Sequence, residues 1–214
     1  MHTAPVDQNG TNLYAVKEEI CPDYDLRFST ARIDTQKLNW LHNMSDCTIN
    51  IAGNEGFGLT TAESVMAGTP AIINVTGGLQ DQLGLRKKSD GKLFTAEDYK
   101  KIGSLHNWRD WEDKVTHGEW VKPVWSRVQT MSGSVPTPYI FDDRCDWEDA
   151  ADRIKEWYEM GREARKECGF KGHEFVTSDD ANMSARGMCG LFIDHMETAF
   201  DKWTPKQKIN VYKV

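Results

Sequence analysis

Apolar positions along the chain predict short helices alternating with short strands. Leu13, Val16 and Ile20 recur at helical spacing and predict a helix over Asn12 to Ile20. Asp25 to Ser29 alternates weakly and reads as a strand. Asp34 precedes Leu38, Leu41 and Met44 as an N-cap would, so a second helix is expected there. Cys47 to Ala52 is partly apolar, is bounded by turn residues and reads as a strand. The glycine-rich loop Gly53-Asn54-Glu55-Gly56-Phe57-Gly58 follows it. Leu59 to Ala67 reads as a helix stopped by Gly68 and Pro70, and Ala71 to Val75 as a buried strand. Thr76-Gly77-Gly78 makes another loop, and Leu79 to Leu85 opens a further helix.

Strand, loop, helix, strand, loop is a βαβ unit, so an α/β fold with a Rossmann-like parallel sheet and helices on both faces is expected. Such sheets bind ligands where the carboxyl ends of the strands open into loops, and both glycine loops fall at that edge. Residues 86–135 are polar but hold Trp108, Trp111, Trp120 and Trp125. These tryptophans either form a sugar-stacking surface or pin a long insertion onto the domain, and the second reading is preferred. Tyr139-Ile140-Phe141 reads as a last strand. Asp146 caps a predicted helix whose apolar face is Trp147, Ala151, Ile154, Tyr158, Gly161 and Ala164, with Gly169 as its stop. A long C-terminal helix carries Met188, Leu191, Phe192, His195, Met196, Ala199, Phe200 and Trp203 on one stripe. His195 on that stripe reads as a core histidine.

Composition narrows the function classes. The 214 residues suit one domain, 1–214, at roughly 100–200 residues per domain. Hydrophobic residues make up 39% and charged residues 28%, an ordinary globular balance. A net charge of −7 argues against a nucleic-acid partner. No apolar run is long enough for a transmembrane segment. Met1 to Gly10 lacks a basic start and an apolar stretch, so no secretory signal is read and a cytoplasmic protein is expected. Cys21, Cys47, Cys145, Cys168 and Cys189 show no CxxC spacing and read as reduced, mostly buried thiols. The Asn-x-Ser/Thr triplets at Asn9, Asn43, Asn74 and Asn182 then read as chance.

The candidate chemistry lies in the first glycine loop. Glu55 falls in the loop and Glu63 one to two turns into the helix, an E-x7-E spacing. Glycines let a ligand approach bare backbone N–H groups, and a helix start favours phosphate. A carboxylate such as Glu63 can accept both hydrogens of a ribose diol, while Glu55 can hold hydroxyls of a second sugar. That combination describes a nucleotide-sugar site. Neither the GxGxxG fingerprint nor a GxxxxGK[ST] phosphate loop occurs. On spacing alone, a capped helix with a glycine turn and two unrelated glutamates stays open beside this reading.

The run Asn54 to Glu63, then Met66-Ala67-Gly68-Thr69-Pro70 and Thr76-Gly77-Gly78-Leu79, resembles the retaining, nucleotide-sugar-dependent glycosyltransferases of group one. Those enzymes have two facing Rossmann-like domains, the B-type fold. The resemblance covers Leu38 to Leu83, about a fifth of the chain. It implies that Glu55 contacts the donor sugar and helps stabilise positive charge at the anomeric carbon. It implies that the backbone of Gly56, Phe57, Gly58 and Leu59 faces the sugar and diphosphate. Glu63 would bind the ribose, and Gly77 and Gly78 would line the same cleft. The reaction implied is sugar transfer from a nucleoside-diphosphate sugar to an unknown acceptor with retention. No cofactor and no metal are implied beyond that co-substrate.

The chain departs from the family in its N-terminal part. Only 54 residues precede Glu55, so the acceptor domain has no room, and the Gly-Arg…Lys diphosphate loop is not found. The expectation is a donor-binding half lacking its first strand, a fragment or one chain of a two-chain enzyme. A missing N-terminal domain or second chain would then be a partner. Self-association to a homo-oligomer through the Met188–Trp203 stripe or the open strand edge is expected. The alternative is a non-catalytic nucleotide- or glycan-binding module of the same fold.

Overall fold

The computed structural model describes residues 1–7, 10–102, 111–135 and 137–205. The chain divides into two compact units, Met1–Trp40 and Leu41–Val214.

In the first unit, α1 (Leu13–Ile20) forms as its periodicity predicts, with the side-chain Oδ1 of Asn12 accepting from the N–H groups of Tyr14 and Ala15. The strand expected over Asp25 to Ser29 is absent. Ser29 makes only an isolated bridge to His2. Arg27 and Asp25 pair with each other in solvent, and Phe28 packs edge-on against Tyr14 with centroids 5.1 Å apart. With two charges in five residues, the segment has little apolar surface to bury in a ladder. Helix α2 (Thr35–Met44), whose last four residues belong to the second unit, starts where Asp34 caps it, through the Lys37 N–H at 2.9 Å.

In the second unit, three strands among the described residues form a parallel sheet in the order β1-β2-β5. They are β1 (Thr48–Asn50), β2 (Ala71–Asn74) and β5 (Val121–Val124). Ile49 lies opposite Ile72, and Ile72 opposite Lys122. All four residues of β2 are buried, as a central parallel strand requires. Its side chains alternate between two cores. Ala71 and Ile73 join Val65, Leu79, Trp120 and Val176 on one face. Ile72 joins Val124, Ala150 and Trp157 on the other. Helix α3 (Leu59–Met66) connects β1 to β2, and the short helix α4 (Leu79–Gln82) follows β2.

Residues 86–135, expected as an insertion, supply part of the framework. They contribute the small antiparallel pair β3 (Arg86–Lys87) and β4 (Val115–Thr116), helix α5 (Ala96–Ile102) and the sheet strand β5. Trp120 and Trp125 are buried in the core, so they offer no stacking surface. Trp111 packs edge-on against Phe94, and Trp108 lies outside the described residues. Tyr139-Ile140-Phe141 falls in β7 (Thr137–Arg144), which pairs antiparallel with β6 (Val128–Ser134) and not with the parallel sheet.

Helix α6 (Trp147–Met160) is capped by Asp146 as expected, but it buries a different face. Trp147 and Tyr158 are 76% and 81% exposed, whereas Trp157 is 1% exposed and Ala150 is buried beside it. The small Ala150 lets the helix approach the sheet closely, and Trp157, two turns on, fills the space against Ile72 and Val124. Gly161, at φ +82°, ends this helix. Gly169 is not a stop. It lies inside α7 (Arg162–Thr177), where a Cβ would overlap the carbonyl oxygen of Gly68. Helix α8 (Ala185–Lys202) forms but buries none of its residues. His195 is therefore an exposed residue, not a core histidine. All five cysteines are free: Cys168 is buried, Cys47 and Cys145 are half-buried against the same core, Cys21 is half-buried and Cys189 is exposed.

The close passage of α7 over Gly68 yields a prediction. Gly169→Ala should lose about 1–3 kcal/mol in urea denaturation through backbone overlap. Gly190→Ala in α8, where a Cβ meets nothing within 4 Å, should be neutral or stabilising.

Candidate functional site

The first glycine loop leaves the carboxyl end of β1 and is held on three sides. Asn50 ends the strand by accepting from the Ala52 N–H at 3.1 Å and donating to the Thr61 hydroxyl at 3.0 Å. This ties β1 to α3, as does the hydroxyl pair Thr48 and Ser64. The Gly53 carbonyl accepts from the Asp143 N–H at 2.8 Å, which joins the loop to β7. Asp143 is buried, and its carboxylate accepts from Thr76 Oγ1 and Gln129 Nε2, both at 2.7 Å.

The third attachment is a meeting of backbones. The Gly78 N–H donates to the Glu55 carbonyl at 2.9 Å. A Cβ on Gly77 would overlap that carbonyl oxygen, and one on Gly78 would overlap the Gly56 oxygen. Gly58 sits at φ +82°, and a Cβ there would run into Leu79. Gln82, fully buried, donates to the carbonyls of Phe57 at 2.5 Å and Gly58 at 3.1 Å.

These attachments shape a cleft of about 290 Å³ lined by Asn50, Glu55, Phe57, Gly58, Leu59 and Thr60. Gly58 caps α3 without a side-chain hydrogen bond. The N–H groups of Leu59 and Thr60 therefore face the cleft end of the helix with its partial positive charge. Glu63 follows Leu59 by four residues, so it shares that helix face about 6 Å further along the axis. It is half exposed and does not line the cleft. His42 Nε2 lies 3.8 Å from its Oε2.

Gly77 and Gly78 line a second cleft of about 580 Å³ with Gln80, Asp81, Phe94 and Tyr99. Desolvation raises Asp81 above the usual carboxylate range, opposed by the Tyr99 hydrogen bond. Burial, and then the charge of Asp81, push the Tyr99 hydroxyl up. Thus Glu55, Phe57, Gly58 and Leu59 share one cleft, Gly56 sits in its loop, and Gly77 and Gly78 meet that loop by backbone from the neighbouring cleft. Among the described residues, no group of three or more His, Cys, Asp or Glu could hold a metal ion.

Sequence reasoning overlooked Asn50, Thr60, Gln82, Asp143 and His42. Asn50 precedes the motif and Thr60 lies within it, and both could have been found as polar groups at the strand end and the helix start. Asp143 meets Thr76 across 67 positions, a contact that no local pattern announces. A comparison with protein-family models and with curated proteins finds no match for this chain.

The backbone contact separates two glycines by their tolerance. Gly78→Ala should cost about 1–3 kcal/mol by forcing the loops apart, read as a drop in thermal midpoint of roughly 2–4 °C per kcal/mol. Gly56→Ala, where a Cβ meets nothing within 4 Å, should stay within about 0.5 kcal/mol of the parent.

Proposed function

We propose that the chain binds a nucleoside-diphosphate sugar at the Glu55 cleft and acts as the donor half of a retaining glycosyltransferase. One observation carries this reading. A carboxylate and an uncapped helix start share one cleft at the carboxyl edge of a parallel sheet, in a loop held by backbone contacts that only glycine permits. The E-x7-E spacing and its resemblance to group-one glycosyltransferases agree with it.

In this reading the N–H groups of Leu59 and Thr60, with the α3 dipole, meet the diphosphate. Main-chain dipoles already in place need no reorganisation as charge develops on the leaving diphosphate. The backbone from Gly56 to Leu59 faces the sugar. Glu55 accepts hydrogen bonds from the donor sugar and stabilises positive charge at the anomeric carbon as its bond to the diphosphate oxygen breaks. The acceptor hydroxyl then bonds to that carbon on the face the diphosphate leaves, and its proton passes to the departing diphosphate oxygen. Glu63, one helical turn on, accepts from the ribose diol. Carboxylate recognition of ribose is blind to the base, so a uridine and a guanosine donor are both compatible.

Calorimetry with UDP-glucose and GDP-mannose at millimolar concentration tests the proposal. One of them should bind, and Glu63→Ala should weaken it by roughly tenfold to a hundredfold, the worth of hydrogen bonds to a charged group. Glu55→Gln should weaken the sugar nucleotide more than the free nucleoside diphosphate. No heat from either donor, or equal binding by Glu63→Ala, would remove the assignment.

A further inference from the structure

His42 closes the last turn of α2 and is a buried side chain, 8% exposed, whose Nε2 has no hydrogen-bond partner among the described residues. An unpaired buried ring nitrogen is costly, of the order of 1–3 kcal/mol, and is rarely left without a reason. The nitrogen faces Oε2 of Glu63 at 3.8 Å. That distance exceeds a normal N–H···O bond by about 0.8 Å, which a small rotation of the half-exposed Glu63 closes. The imidazole itself stands on a fixed support. The His42 carbonyl accepts from the buried Thr69 hydroxyl at 2.7 Å and from the Ser45 N–H at 3.1 Å. These bonds lock the end of α2 to the turn that follows α3. A buried, anchored imidazole therefore confronts a half-exposed carboxylate.

We propose that His42 is a positioning residue for Glu63. Its Nε2–H holds one carboxylate oxygen and presents the carboxylate to the 2′- and 3′-hydroxyls of a ribose. This rests on the donor reading above for the identity of the diol, while the histidine–glutamate pair stands on the geometry alone. A carboxylate offers about four lone-pair sites, so one bond to His42 leaves enough for both hydroxyl hydrogens. Fixing the acid before the ligand arrives removes the ordering cost of a free glutamate side chain at binding.

The probes are uridine diphosphate, guanosine diphosphate and their 2′,3′-dideoxy forms, titrated by calorimetry into the parent chain, His42→Phe and His42→Gln. His42→Phe fills the buried space without a donor. It should weaken the ribose nucleotide by about tenfold and leave the dideoxy form unchanged. His42→Gln, which restores an N–H donor, should recover part of the loss. Equal weakening of both forms would reduce His42 to a packing residue and overturn the proposal, as would no weakening at all. The pair has its own readout in the ¹⁵N shift of the His42 ring, which should move in Glu63→Gln. An unmoved ring signal overturns the pairing. A moved signal in a chain that binds none of the four nucleotides overturns the ribose role and the donor reading together, while leaving the pair intact.

Discussion

Two loops meet backbone to backbone, and the position of Glu55 depends on that meeting. The Glu55 carbonyl accepts from the Gly78 N–H, and neither Gly77 nor Gly78 has room for a Cβ. The contact joins the segment leaving β1 to the segment leaving β2, so two adjacent parallel strands determine where the carboxylate stands. Gln82 and Asp143 extend the same restraint from α4 and β7. Glycine at these positions costs chain entropy on folding. That cost is offset by a loop whose shape is set by main-chain atoms, leaving the side chains of Glu55 and Phe57 free to face the cleft.

Charge is used sparingly at this site. The chain carries −7 overall, and the cleft contributes a carboxylate and helix N–H groups, with no lysine or arginine among the described residues that line it. Basic side chains gather elsewhere, with Arg162, Arg165 and Lys166 around a separate cleft at the start of α7. There Arg165 is already engaged, bonding Asp46 at 2.7 Å and the Trp157 carbonyl at 2.8 Å. Oriented peptide dipoles at a helix start are the source of positive potential beside Glu55.

The β1–α3–β2 segment was readable because its signals are local: short apolar runs, bounded by glycine and proline, with periods of two and 3.6. The caps Asp34 and Asp146 were readable for the same reason, whereas Asn12, read as the first residue of its helix, is the cap before it. What escaped was decided across the sheet. Strand β5 reads Val-Lys-Pro-Val, and its charge and proline disguise an edge strand that tolerates a missing N–H. Helix α6 presents two candidate stripes, and only the sheet opposite decides that Ala150 and Trp157 face inward. Gly169 looked like a stop because glycine at a helix end and glycine at a helix crossing are the same letter. At the site, the E-x7-E spacing located Glu55 and Glu63, but the surroundings of both, Asn50 and Gln82 for one and His42 for the other, arrive through tertiary contact.

Helix α8 is the counterpart of β2. The strand buries all four of its residues, while the helix buries none of eighteen. Helix nucleation is unfavourable, and an unpacked helix has little beyond its own hydrogen bonds and the Ser184 cap to hold it closed. Its amides are therefore expected to exchange with deuterated solvent by local opening, on a clock separate from that of Ile72 and Ile73, whose amides wait for global unfolding. Helix α8 and the central strand are thus expected to open as different cooperative units of one chain.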